Sequence, residues 1–228
     1  MALAGSQTAI TAAARGAPIV LVATVGPTEN VVVARPPIAA AAQLKGKTIG
    51  IGGVGIADFF VLRRVMPRLG LVADRDFSYL PTGFTSSFER INVMVTGKFD
   101  ATLASRNNVA RAEVYQKKVN VIPGSEEQGS GGEFYTTREL LKSRGGQIRA
   151  LFRAFSDAVR IGRENREVFN RAVRRHVKEE NPRLLEAYYE NHFFYGVKPN
   201  NAHPPERVLD ADIRDLSATV PELKGRRA

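Results

Sequence analysis

Leu44-Lys45-Gly46-Lys47-Thr48-Ile49-Gly50-Ile51-Gly52-Gly53-Val54-Gly55-Ile56 is the stretch on which the fold turns. Thr48–Ile51 alternates and is β-branched, so it reads as a short strand. A glycine loop follows, and apolar residues at helical spacing then run from about Ile56 to Leu69. Strand, glycine loop and helix in that order form the opening half of a βα unit. The loop matches GxGxxG from Gly50 to Gly55, a pattern whose glycines let backbone amides approach a ligand at a helix N-terminus. A dinucleotide site would also place an acidic side chain at the end of the next strand. Asp74 and Asp76 stand at about the right distance but precede the strand Phe77–Leu80, at the wrong end of the sheet. The loop therefore reads as a small-ligand loop.

Working outward, the pattern repeats. Pro81-Thr82-Gly83 follows Phe77–Leu80, and Thr85-Ser86-Ser87 caps a helix to about Thr96. Gly97-Lys98-Phe99-Asp100 leads into the strand Ala101–Ala104, then a helix near Val109–Lys117 and a strand Val119–Ile122. This alternation predicts an α/β fold with a parallel sheet and helices on both faces. Upstream, Ala2-Leu3-Ala4 is strand-like, Ser6-Gln7-Thr8 caps an alanine-rich helix to Ala14, and Ile19–Val25 is a buried strand ending at Gly26-Pro27. Asn30–Ala34 is a further extended piece. Downstream, Glu133–Thr136 is a strand. Ile148, Leu151, Phe152, Phe155 and Val159 then recur at helical spacing, as do Val168, Phe169 and Val173. Helices near Pro182–His192 and Pro205–Leu216 complete the chain.

Composition removes several chemistries. Apolar residues at 43% and charged residues at 25% describe an ordinary globular chain. There is no cysteine, hence no thiol nucleophile, no disulfide and no thiolate-bound zinc. His176, His192 and His203 lack metal-ligand spacing, and no Ser/His/Asp set assembles; no metal and no cofactor is expected. The net charge of +10 is spread along the chain rather than packed on one element, which argues against nucleic acid as a partner. No apolar run approaches the roughly 18–20 residues that span a bilayer. The first residues, Met1 to Gln7, lack the basic flank and apolar core of a signal peptide.

The segments Gly16-Ala17-Pro18-Ile19, Leu44–Ile51 and Gly97-Lys98-Phe99-Asp100-Ala101 together resemble the nitrate/sulfonate/taurine-type substrate-binding proteins of ABC importers, a thiamine-precursor-synthase-like group. The likeness runs over nearly the whole chain. It implies a type II periplasmic-binding-protein-like fold of two α/β lobes joined by two strands, with crossings near Val31–Ala34 and Glu133–Thr136. The first lobe would comprise 1–35 plus 132–228, and the second 36–131. The family carries a signal peptide and additional elements before the Ala-Leu-Ala-Gly-Ser-Gln segment. The chain accordingly reads as N-terminally truncated, with an incomplete first lobe and an uncovered sheet edge.

The resemblance implies a periplasmic solute-binding protein that captures a small polar, anionic or aromatic molecule by lobe closure and delivers it to the membrane subunits of an ABC importer. Expected ligand contacts are Ser6 and Gln7 from the first lobe. From the second come Gly53, Val54, Gly55, Thr82, Gly83, Ser105 and Arg106. Arg106 follows a strand and could clamp a carboxylate or sulfonate. The alternative is a cytoplasmic enzyme on the same fold, of the menaquinone- or thiamine-precursor type. Lacking tryptophan, the chain would stack a ring on Phe59 or Phe84.

Overall fold

A computed structural model describes residues 1–26, 28–129, 132–195, 206–218 and 220–226. Expectations placed on Pro27, Gly131, His203 and Pro205 lie outside these residues. The chain divides into two compact units, one of Met1–Thr28, Ser130–Asn181 and His192–Ala228, the other of Glu29–Gly129 and Pro182–Asn191.

The second unit is built on a six-stranded sheet. Its strands are β3 (Thr28–Ala34), β4 (Lys47–Ile51), β5 (Phe77–Pro81), β6 (Ala101–Ser105), β7 (Asn120–Val121) and β8 (Glu127–Gly129). The order is β5-β4-β6-β3-β7, with β8 pairing β3. β4 runs parallel to β5 and to β6, so Ile51, Pro81 and Ser105 finish at one edge of the sheet. The sheet is mixed rather than wholly parallel, because β3 is antiparallel to both β6 and β7. The physical reason lies in the connections. β4, β5 and β6 are joined through helices, whereas β3 enters from the other unit and is under no such constraint.

Val31-Val32-Val33-Ala34 is unbroken apolar sequence because both faces of β3 are covered. Val32 and Ala34 join Val61, Leu62, Val65 and Met66 of α2 (Ala57–Arg68) in one core cluster. Val31 and Val33 join a second with Ile91 and Met94 of α3 (Ser87–Met94) and with Val109 and Ala112 of α4 (Arg106–Val114). The expected helix near 109–117 thus begins earlier, at Arg106.

The Gly97–Ala101 motif is a staple at the sheet edge away from those strand ends. Asp100 accepts from Arg35 Nη2 (2.6 Å) and from the Thr48 amide (2.9 Å), tying β6 to β4. Phe99 lies under Gly50, where an added Cβ would meet its ring at 2.5 Å. Gly50 is therefore a packing glycine.

The first unit contains β1 (Ala2–Ala4), β2 (Ile19–Thr24) and β9 (Glu133–Thr137), in the order β1-β9-β2, antiparallel throughout. Among the described residues its sheet has these three strands. Met1 and Leu3 are exposed along β1. Helices α1 (Ser6–Ala14) and α5 (Arg138–Glu164) pack on it, α6 (Arg166–His176) packs on α5 and α8 (Glu206–Leu216) on α1, while α7 (Pro182–Glu190) packs on α4 in the second unit. Phe134 packs edge-on against Phe152 and Phe155 of α5. Leu151 falls on the exposed side of α5, not in its apolar stripe as its spacing suggests.

On β9, Glu133 is 2% exposed and burial pushes its carboxyl up to about 7. The Tyr135 hydroxyl donates to it (3.3 Å) and pulls the other way, while Asp212 of α8 adds to the rise.

Two expectations follow. Gly50→Ala overpacks the Phe99 contact and lowers stability by about 1–3 kcal/mol in urea unfolding. The raised Glu133 carboxyl holds its proton in the folded state at pH values where the unfolded chain has lost it. Stability therefore falls as pH rises from about 4.5 to about 7, by up to about 1.4 kcal/mol per pH unit. Glu133→Gln removes that slope, which unfolding midpoints from pH 4 to pH 8 would show.

Candidate functional site

The parallel pairing of β4, β5 and β6 brings three loops to one edge of the second unit. Residues 52–56 follow β4, residues 82–86 follow β5, and Ser105-Arg106 closes β6. Ligands bind α/β sheets at such carboxyl ends. The first two loops run side by side. The Thr82 amide and hydroxyl both donate to Ile51 O (2.8 Å each), and the Gly83 amide donates to Gly52 O (3.1 Å). Gly55 and Gly83 have φ of +88° and +76°, the left-handed region where a Cβ is costly.

The glycine loop is held from beneath. Gly52 donates its amide to Asp58 Oδ2 (2.6 Å), and Asp58 Oδ1 accepts from the Phe59 amide (2.9 Å). Asp58 pairs with Arg90 (3.3 Å), which is only 3% exposed. Each Arg90 nitrogen is engaged: Nε with Thr102 Oγ1 (3.0 Å), Nη1 with the Phe84 and Thr85 carbonyls (2.7 and 3.1 Å), and Nη2 with Leu103 O (3.1 Å). Thr102 in turn donates to Gly50 O (2.7 Å). One guanidinium thereby ties the loops after β4 and β5 to the strand β6. Burial pulls Arg90 below its usual range, and the Asp58 carboxylate opposes this. A Cβ on Gly52 would meet Ile56 Cδ1 at 2.7 Å and Phe84 O at 2.9 Å. Sequence reasoning misses Arg90 and Asp58, since a charged residue in an amphipathic helix looks solvated until its neighbours are known. The one available signal is the acidic residue in the first turn after the glycine loop.

Above this support, the amides of Gly53, Val54 and Gly55 find no acceptor among the described residues. A Cβ at Gly53 would meet nothing within 4 Å. Val54 is 69% exposed, and Ile56 and Phe84 are also exposed.

The other expected contacts fare differently. Ser105 is the N-cap of α4, with no side-chain cap bond. Arg106 is already paired: Nε and Nη2 both lie 2.9 Å from Glu29 Oε1, and Nη2 lies 3.6 Å from Glu126. The Thr82 hydroxyl also accepts from the Phe84 amide (3.2 Å), so it positions its loop. Phe59 is packed against Phe60 and Tyr79 and is not available for stacking; Phe84 is.

In the first unit, Gly5 rather than Ser6 is the N-cap of α1. Ser6 is fully buried and its hydroxyl donates to Asp212, because α8 packs on α1. Gln7 is buried next to it. No group of His, Asp or Glu among the described residues could hold a metal ion. No helix among them is long and apolar enough to cross a membrane.

This fold is the periplasmic-binding-protein fold. The sulphonate-binding protein SsuA of Escherichia coli matches 99% of this chain and 74% of its own at 18% identity and a TM-score of 0.70. The alkanesulfonate-binding SsuA of Xanthomonas axonopodis pv. citri, bound to MOPS, matches 97% of this chain and 75% of its own at 20% identity and a TM-score of 0.71. A Candida albicans protein with the generic periplasmic-binding-protein fold covers 97% of this chain and 72% of its own at 15% identity and a TM-score of 0.58. A family model described as NMT1/THI5 like matches residues 1–166, and the chain belongs to that family. No curated protein matches it.

Removing the Arg90 guanidinium would leave Asp58 and the Phe84 and Thr85 carbonyls without their partner. Arg90→Ala is expected to cost about 3–5 kcal/mol in urea unfolding, the usual result of stranding a buried charge. Adding Asp58→Asn should recover part of that loss, since the two residues share one network.

Proposed function

We propose that the chain is a periplasmic solute-binding protein that captures a small polar molecule and hands it unaltered to the membrane subunits of an ABC importer. The observation that carries this reading is the set of acceptor-free amides at Gly53, Val54 and Gly55, at the carboxyl ends of three parallel strands. Rigidly supported amides of this kind hold a ligand by hydrogen bonds without a reacting group. The names of the solved relatives, sulfonate-binding proteins among them, point the same way. The proposed contacts in the second unit are Gly53, Val54, Gly55 and Gly83. Thr82, Ser105 and Arg106 border them; in the first unit the Ser6 hydroxyl is engaged by Asp212.

No histidine, cysteine or lysine stands among these residues, and the Thr82 hydroxyl is spent on Ile51 O, whereas catalysis ordinarily needs an acid, base or nucleophile with a suitable pKa. Thermal-shift screening against nitrate, sulfonates, aromatic acids, amides and pyrimidines should give stabilising hits. Mass spectrometry should then recover each hit unchanged. Multiple-turnover conversion of a hit would replace this reading by an enzyme.

Gly53 is the position that tests the site itself. Its Cβ space is open and its φ is not left-handed, so Gly53→Val leaves the fold intact. Calorimetry with a hit is expected to show at least about tenfold weaker binding, about 1.4 kcal/mol. Equal affinity would move the site elsewhere.

A further inference from the structure

We infer that α5 and α6 present a basic face that docks on the surface of an anionic lipid bilayer. This goes beyond the capture reading above and does not depend on it.

Residues 138–178 contain twelve Lys and Arg against four Asp and Glu, so they carry +8 of the chain's +10. The charge is therefore concentrated on α5 and α6, and not evenly spread as the sequence taken whole suggests. Because α6 packs on α5, it gathers on one region of the first unit. The carboxylates of this stretch do not neutralise it. Asp157 and Glu164 are both paired with Arg160 (3.8 and 3.0 Å), and Glu167 with Arg174 (3.0 Å). Arg138, Lys142, Arg149, Arg153, Arg171 and Arg175 are exposed and have no ion-pair partner among the described residues. In the second unit, by contrast, Arg35, Arg68, Arg75, Arg90 and Arg106 each have a carboxylate. The six unpaired cations fall into three couples at i, i+4 spacing, 138 with 142, 149 with 153 and 171 with 175. Side chains so spaced share a helix face, where like charges repel one another. Nothing within the first unit offsets that repulsion, whereas an anionic surface turns each of these charges into an attraction.

What accompanies the cations defines the partner. Protein interfaces centre on a desolvated core depleted of charge. Here the exposed apolar side chains Leu151, Ile161 and Val177 stand singly, ten residues or more apart, and form no such centre. Unpaired bases stack on exposed aromatic rings. The rings of α5 and α6 are half-buried instead, Phe152 and Phe155 against Phe134 and Phe169 against Phe193. Exposed arginines and lysine with isolated aliphatic side chains suit the headgroup layer of a bilayer. There the cations meet lipid phosphates, and aliphatic groups reach the acyl boundary.

Vesicle sedimentation with the full chain tests this, comparing equimolar phosphatidylglycerol and phosphatidylcholine with phosphatidylcholine alone at low salt. Binding to the anionic vesicles should be at least about tenfold tighter, and about 0.5 M salt should abolish the difference. Each cation near an anionic surface is worth about fivefold in partitioning. Arg149→Gln combined with Arg153→Gln should therefore weaken anionic-vesicle binding at least about tenfold, and Arg171→Gln combined with Arg175→Gln should do the same. Lys45→Gln combined with Lys98→Gln removes equal charge from exposed positions of the second unit, and should change binding less than about twofold. All these changes are at the surface, so melting curves should match that of the unaltered protein. Equal affinity for the two kinds of vesicle would overturn the inference, as would binding to neither. An equal loss in the Lys45/Lys98 variant would reduce the effect to net charge and overturn it too. Duplex DNA that binds more tightly than anionic vesicles at equal phosphate, and loses affinity in the Arg149/Arg153 variant, would reassign the face to nucleic acid. None of these outcomes bears on ligand capture at Gly53–Gly55.

Discussion

The ion pair between Arg90 and Asp58 is the contact on which the second unit's loop edge depends. A buried charged pair is an expensive element unless every remaining donor and acceptor is satisfied. Here the requirement is met by recruiting the carbonyls of Phe84, Thr85 and Leu103, the Thr102 hydroxyl and the Gly52 amide. Those partners belong to the segments after β4 and β5 and to β6 itself. The desolvation cost of one guanidinium is offset only when all three are in place, so their relative geometry is specified together. Gly52 has to lack a side chain because Ile56, Phe84 and Arg90 crowd the space a Cβ would enter.

That support leaves a division of labour within a single loop. Gly52 and Asp58 face inward and hold the backbone, while Gly53, Val54 and Gly55 face outward with amides free of internal acceptors. The GxGxxG pattern does not distinguish the two roles, since it counts glycines without regard to what surrounds them. Gly50 shows this most clearly. It begins the pattern, yet it is glycine because the Phe99 ring lies against it, on the strand rather than in the loop.

Electrostatics complete the picture of a site tuned by its neighbours. Arg106 stands where an anion clamp would be placed, but β3 runs antiparallel to β6 and its start lies beside the end of β6, with Asn30 opposite Ser105. Glu29 is thereby set against the guanidinium. In the first unit, packing of α8 on α1 likewise commits the Ser6 hydroxyl to Asp212. In both cases a side chain that local sequence marks as available is claimed by a residue far away in the chain.

Local sequence determined the strand–glycine loop–helix of residues 47–68, the βα alternation after it, the extended course of Val31–Ala34 and the absence of cysteine chemistry. These follow from periodicity, glycine placement and composition, all short-range properties. It also carried the resemblance to substrate-binding proteins that the shared fold bears out. The antiparallel course of β3, the start of α4 at Arg106 and the exposure of Leu151 required the tertiary structure. So did the burial of Arg90, the pairing of Arg106 with Glu29 and that of Ser6 with Asp212. Each of these depends on which distant segment packs alongside, and the free energy of a charged or hydroxyl group is set by that neighbour rather than by the residues next to it in the chain.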